Sequence, residues 1–222
     1  MPANPAKPRA PSAEADLAFM RSIVQGDGRP PMTLAICYLA GGLLYGLQCL
    51  FHVGQAFGVI RWPGLANLVF VVGITAGFLA VLTWAILRDR KDGVANRGPL
   101  ASRSLNAAFS ATGMANTAVI IVFGVGAWRD QDFAIWLYYA AIVFALQAAA
   151  WYMAWTLKRK GWMLATALGG WLASVALGLL VREPLWYLGV CTVALFALFA
   201  LPGWILFRDA RTADKAAGSK AA

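Results

Sequence analysis

Six apolar runs separated by polar turns fill most of the chain, at about Met32 to Phe57, Leu65 to Leu87, Ser104 to Trp128, Phe133 to Leu157, Trp162 to Val181 and Leu185 to Phe207. Each is close to the ~20 residues with which a helix crosses ~30 Å of hydrocarbon. The pattern predicts an all-α integral membrane six-helix bundle. Ahead of it, Ser12 to Gln25 is amphipathic rather than apolar. Leu17, Phe19, Met20, Ile23 and Val24 fall on one half of the helical wheel, with Arg21, Ser22 and Gln25 on the other. Ser12 is placed to cap this helix, and Glu14 and Asp16 lie in its first turn. A short N-terminal amphipathic interfacial helix is expected. It lies on the inner leaflet or docks a membrane or cytoplasmic protein partner through its five apolar residues.

The first run breaks the apolar pattern in an ordered way. Tyr38, Tyr45, Gln48, His52 and Gln55 recur at steps of seven, three, four and three, so they share one side of a helix, with Gly41 beneath them. Leu39, Leu43, Leu50 and Val53 occupy the other side. Polar groups facing hydrocarbon cost free energy unless the bundle satisfies them, so the stripe turns inward. In the third run Asn106, Ser110, Gly113, Thr117 and Gly124 lie close to one line, and Thr112 and Asn116 form the adjacent flank. Two roles fit this line: close interhelical packing with hydrogen bonds, or lining a space for a solute. Together the two helices nominate a ligand-binding set of Tyr45, Gln48, His52, Gln55, Asn106, Ser110, Asn116 and Thr117. Gly42/Gly46 and Gly73/Gly77 are GxxxG pairs, which suit a close hairpin of the first two helices. Thr166, Gly170, Ser174 and Gly178 repeat the small-residue line in the fifth run, and Gln147 precedes Trp151 by one turn in the fourth.

Composition supports the membrane assignment: 60% of the 222 residues are hydrophobic and 13% charged. Of the 19 basic residues, only Arg61, Arg129 and Arg182 fall in the turns after the first, third and fifth runs. The rest flank the other ends, which puts both termini in the cytoplasm of a cell, expected to be bacterial, with the bundle in its inner membrane. The basic residues are spread over four segments, so nucleic-acid binding is not expected. The lipid bilayer is the first partner. The domain plan is a tail over 1–31, proline-spaced at Pro2, Pro5, Pro8 and Pro11, a bundle over 32–207 and a basic disordered tail over 208–222. No cleavable signal peptide is visible, and the first helix reads as an uncleaved anchor.

The chemistry available is narrow. The apolar runs hold no Asp or Glu, which disfavours ion-coupled pumping through a buried carboxylate. One histidine cannot give bis-histidine haem ligation, and hydrolase, metalloprotease and phosphate-loop motifs are absent. Cys49 and His52 are one turn apart, and Cys191 lies at a similar depth in the sixth run. That supplies only half a metal site, and no metal or cofactor is expected. The three cysteines are expected to pack as small hydrophobes. His52 reads as a hydrogen-bonded structural residue held by Gln48 or Gln55, or as a ligand-binding or proton-responsive one. The resulting expectation is a non-enzymatic sensor or assembly-partner module with a polar pocket on the first and third spans. The alternative is a small-solute transporter or a membrane subunit of one. The Trp-x-x-x-Arg pairs Trp84/Arg88, Trp155/Arg159 and Trp204/Arg208 are what aromatic anchoring and basic inner loops produce, and three related hairpins would also give them.

Overall fold

The structure, a computed structural model, describes residues 32–92 and 100–219. Among these residues the chain is all-helical, without strands. It comprises α1 (Met32–Ala56), α2 (Gly64–Asp92), α3 (Leu100–Asp130), α4 (Phe133–Lys158), α5 (Gly161–Leu179), α6 (Pro184–Leu195), a π-helical turn (Phe196–Ala200) and α7 (Leu201–Ser219). The last three form one continuous sixth helix. Among the described residues six helices are long and apolar enough to cross a membrane, which is compatible with a multi-pass membrane protein. The amphipathic segment with Leu17, Phe19, Met20, Ile23 and Val24, and the loop 93–99 after α2, lie outside the described residues.

Tight turns make successive helices antiparallel, so the start of α1 and the end of α7 share one side, called here the basic side. Thr33 Oγ1 donates to Ala85 O at 3.2 Å there, and Lys160 pairs with Asp209 at 3.4 Å. At the far side Asp132 caps α4 by accepting from Ala134 N at 2.9 Å, and Arg182 reaches the same carboxylate at 3.5 Å. Arg159 ends α4 in the left-handed conformation, its N–H on Trp155 O and its guanidinium over the Trp155 ring at 5.2 Å. Arg88 covers Trp84 in the same manner at 5.7 Å. At the third repeat position the cation–π pair is Arg211 on Phe207, at 4.5 Å.

Helix α1 packs between α2 and the sixth helix, α5 joins the sixth helix to α4, and α4 carries α3. The core has two parts. One, toward the basic side, gathers Ala35, Tyr38, Leu105, Trp151, Met163 and Leu206. The other, toward the far side, gathers Ala141, Phe144, Leu177, Tyr187 and Cys191. Along their most apolar stretches α2 buries none of its residues and α3 only 6%; Ala85, near the basic end of α2, is the exception beside Thr33. Leu65, Val69, Val72, Met114, Ile121 and Val122 are among the side chains left outside. In water a continuous apolar surface of this kind would be covered; in a bilayer lipid chains cover it at no cost.

Glycine shows which helices approach most closely: α1 and α2 do pack as a hairpin, but the role expected of the GxxxG pairs in it is corrected. A Cβ on Gly42 would stand 2.2 Å from Ala200 N, and one on Gly46 3.0 Å from the Phe196 ring, so this pair serves the sixth helix rather than α2. Gly203 reciprocates, its notional Cβ 2.4 Å from Leu39 N. Helix α2 meets α1 through Phe78 over Gly41, and Gly73 and Gly77 face open space. The reason is bulk: Phe78 fills the α1–α2 contact, so no small-residue groove is needed on α2. In α5 the expected line does pack, with a Cβ on Gly170 meeting Ala148 Cβ at 2.9 Å.

Two further differences come from the sixth helix. Pro202 has no N–H, and its ring would clash with the carbonyl four residues earlier in a regular helix. The chain answers with a wide turn in which Leu201 N–H reaches Phe196 O, five residues back. The segment expected as a disordered tail from 208 continues the helix to Ser219. Leu206 and Ala210 are buried on its inner face, and Thr212 Oγ1 bonds back to Arg208 O at 2.9 Å, so tertiary contacts carry it past the apolar run.

Candidate functional site

The inward face of α1 builds a polar seam with three levels. At the basic side Tyr38 is 5% exposed and its hydroxyl donates to Gln147 Oε1 of α4. Its ring is enclosed by Phe199, stacked at 5.1 Å, and by Trp151 and Phe109, edge-on at 5.2 and 5.6 Å. Trp151 Nε1 is buried in this cluster with no hydrogen-bond partner. Gly41 and Gly42, one turn on, let the neighbouring helices close over the ring. Four aromatic rings therefore shut the seam at this end.

At the middle level Tyr45 packs edge-on against Phe78 at 5.4 Å, with its hydroxyl beside Thr75 of α2. Tyr139 of α4 lies in the neighbourhood of Tyr45 and has the Asn116 amide of α3 beside its hydroxyl. All four helices α1 to α4 thus contribute a polar group here. Two acceptors are left over. Gln48 Oε1, one turn from Tyr45, and Asn116 Oδ1 are both buried without a partner. A buried acceptor left unmade costs about 1–3 kcal/mol, so these two atoms are where the seam is incomplete.

At the far side a hydrogen-bond chain fixes His52. Gln55 Nε2 donates to Asn67 Oδ1 of α2 at 2.7 Å, which turns Gln55 Oε1 toward His52 Nδ1 at 2.9 Å. An amide oxygen only accepts, so Nδ1 carries the hydrogen and Nε2 of the neutral ring is an acceptor. Phe51 and Phe70 stand edge-on to the imidazole at 5.8 and 6.5 Å. Of the two partners expected for His52, Gln55 holds it.

The structure brings Tyr45, Gln48, His52, Gln55 and Asn116 to this seam. It corrects the placement of the other residues nominated on α3. Ser110 and Thr117 are exposed on the outer face, with Asn106 on the same line, half-buried. The packed face is instead the flank Leu105, Phe109, Thr112 and Asn116. Hydroxyls explain the difference, since Thr117 Oγ1 bonds Gly113 O at 3.2 Å within its own helix and so tolerates an apolar surround. Asn67, Thr75 and Tyr139 join the seam without having been nominated. Asn67 was the one with a signal, as a carboxamide near the end of an otherwise apolar run.

Cys49 and Cys191 meet as their depths suggested, Sγ to Sγ at 3.8 Å. Among the described residues no three His, Cys, Asp or Glu side chains converge as metal ligands. An open apolar groove between α3 and α4, near Arg129 and Ile135, holds none of the seam residues. No protein-family model matches this chain, and no curated protein and no solved structure matches it either.

Proposed function

We propose that the chain is a non-enzymatic sensor or assembly module of a bacterial inner membrane, with both termini cytoplasmic, whose seam takes a small neutral solute bearing N–H or O–H donors. The observation that carries this reading is the pair of buried, unpartnered acceptors, Gln48 Oε1 and Asn116 Oδ1, at the level of Tyr45 and Tyr139. A solute that donates to both replaces two missing hydrogen bonds in a low-dielectric site, where each is stronger than in water. The side chains presented are amide, phenol and imidazole, which suit binding of an uncharged group rather than acid–base work on it. The Tyr38 cluster closes the seam toward the basic side, which favours holding a solute over passing it. Occupancy would then reach a protein partner through the N-terminal amphipathic segment.

The second reading, a small-solute transporter, draws support from polar groups at three successive levels of one helix face. Both readings are tested on one sample. Purified protein should gain thermal stability from a member of a panel of small amides, ureas and polyols, and Gln48→Leu and Asn116→Leu should each lose that gain. If no solute stabilises the wild type, or the double variant responds as fully as the wild type, the seam is not a binding site. Uptake of the stabilising solute by proteoliposomes, reduced by His52→Ala or Asn116→Ala, would decide for transport.

A further inference from the structure

The far-side core contains a second chemical feature, separate from the seam and independent of its ligand. Cys49 on α1 and Cys191 on α6 come from positions 142 residues apart, yet their sulfurs lie 3.8 Å from one another. Cys191 is buried, and Cys49 packs against the same cluster of Ala141, Leu177 and Tyr187. The two helices are already drawn together: Gly46, one turn before Cys49, admits the Phe196 ring, and one turn further the Gly42 backbone meets that of Ala200. Cys37, on the same helix as Cys49 but in the basic half, has no such neighbour among the described residues. Thiols this close need only side-chain rotation to reach the ~2 Å of a covalent S–S bond. The Tyr187 hydroxyl donates to Leu137 O at 2.7 Å and so does not hold the thiols apart.

We infer that Cys49 and Cys191 form a dithiol/disulfide redox pair that closes a covalent clasp between α1 and the sixth helix, with a membrane-soluble quinone as electron acceptor. Two S–H bonds break and one S–S bond forms. The two electrons and two protons released reduce one quinone to the quinol, so the reaction balances without a further reactant. A lipid-dissolved acceptor is the chemical class that fits, because the pair lies within the apolar length of both spans, where polar oxidants are scarce. The clasp falls between Gln48 and His52 in α1. It locks the helix pair that Gly42, Gly46 and Gly203 hold by contact alone.

The test uses the full chain, reduced, freed of reductant and reconstituted in nanodiscs, with a short-chain benzoquinone as the oxidant. Thiols are counted afterwards by maleimide mass-tagging under denaturing conditions, and peptide mapping locates the bond. The expected result is loss of two of the three thiols, a 49–191 cross-linked peptide, Cys37 still tagged, and one quinol formed per chain. Cys49→Ser and Cys191→Ser should each abolish both the bond and quinol formation while keeping the wild-type elution profile. Three reactive thiols after quinone treatment would overturn the inference. So would a bond that involves Cys37 or links two chains.

Discussion

Single residues divide by whether a helix can satisfy them alone. A hydroxyl back-bonds to the carbonyl one turn earlier, as Thr75, Thr112, Thr166 and Thr192 all do, so its position along a span says little about where a partner lies. A carboxamide or phenol has no such recourse. Gln147, Asn67 and Gln55 all take partners on another helix or side chain, and Tyr38 reaches across to α4. Removing the Tyr38 hydroxyl is therefore expected to be costly: Tyr38→Phe leaves the half-buried Gln147 Oε1 without this partner and should destabilise by about 1–3 kcal/mol. Adding Gln147→Leu should return part of that loss, a non-additivity that a double-mutant cycle in thermal unfolding reads directly. Glycines divide similarly by their surroundings. Gly42→Ala would place a Cβ on the Ala200 backbone and should cost about 1–3 kcal/mol or more, whereas Gly73→Ala meets nothing and should stay within about 0.5 kcal/mol of wild type. The two variants measured side by side separate a packing glycine from an incidental one, which the shared GxxxG spacing does not.

At the scale of elements, the six helices and their limits follow from the apolar runs to within a few residues, because the ~30 Å of hydrocarbon dictates length, except that the sixth runs on from Phe207 to Ser219. The faces were less legible. The stripe on α1 was readable because carboxamides and a histidine mark it, and these have to be satisfied inside the bundle. The line on α3 misled because serine, threonine and glycine satisfy lipid and protein equally well, while Leu105 and Phe109, which read as ordinary apolar residues, dock against Tyr38 and Trp151. The π-turn had a visible cause in Pro202, but nothing local tells whether a proline kinks a helix or widens it. A consequence for α3 can be measured. Ser110→Leu and Thr117→Leu place larger apolar groups on an outer face and should leave thermal stability within about 0.5 kcal/mol of wild type. Asn116→Leu, one residue from Thr117 but on the inner flank, should remove the solute response. Equal loss of response in all three variants would place the outer line of α3 in the site.

The whole molecule poses the question of orientation, which the fold leaves symmetric: six antiparallel spans put both ends of the bundle on one side whichever way it is inserted. The asymmetry is in the charges. Lys158, Arg159 and Lys160 sit beside Arg208 and Arg211 on the side where the chain begins and ends, while the far side carries Arg61, Arg129 and Arg182 among its turns. Two of those three are matched by carboxylates, Arg129 by Asp130 at 2.7 Å and Arg182 by Asp132 at 3.5 Å, which lowers the net charge left on the far side. On the orientation proposed above, retention of the basic loops on the cytoplasmic side would set the direction of insertion. Fluorescent proteins that mature only in the cytoplasm, fused at either terminus, should both fluoresce. An exported reporter inserted between Trp62 and Leu65 should be active, and one placed after Lys160 silent. Because several short loops share the bias, replacing Lys158, Arg159 and Lys160 with glutamine should leave this pattern intact. A dark terminal fusion would mean an odd number of crossings, and with it that one of the six apolar helices lies along the membrane instead of through it.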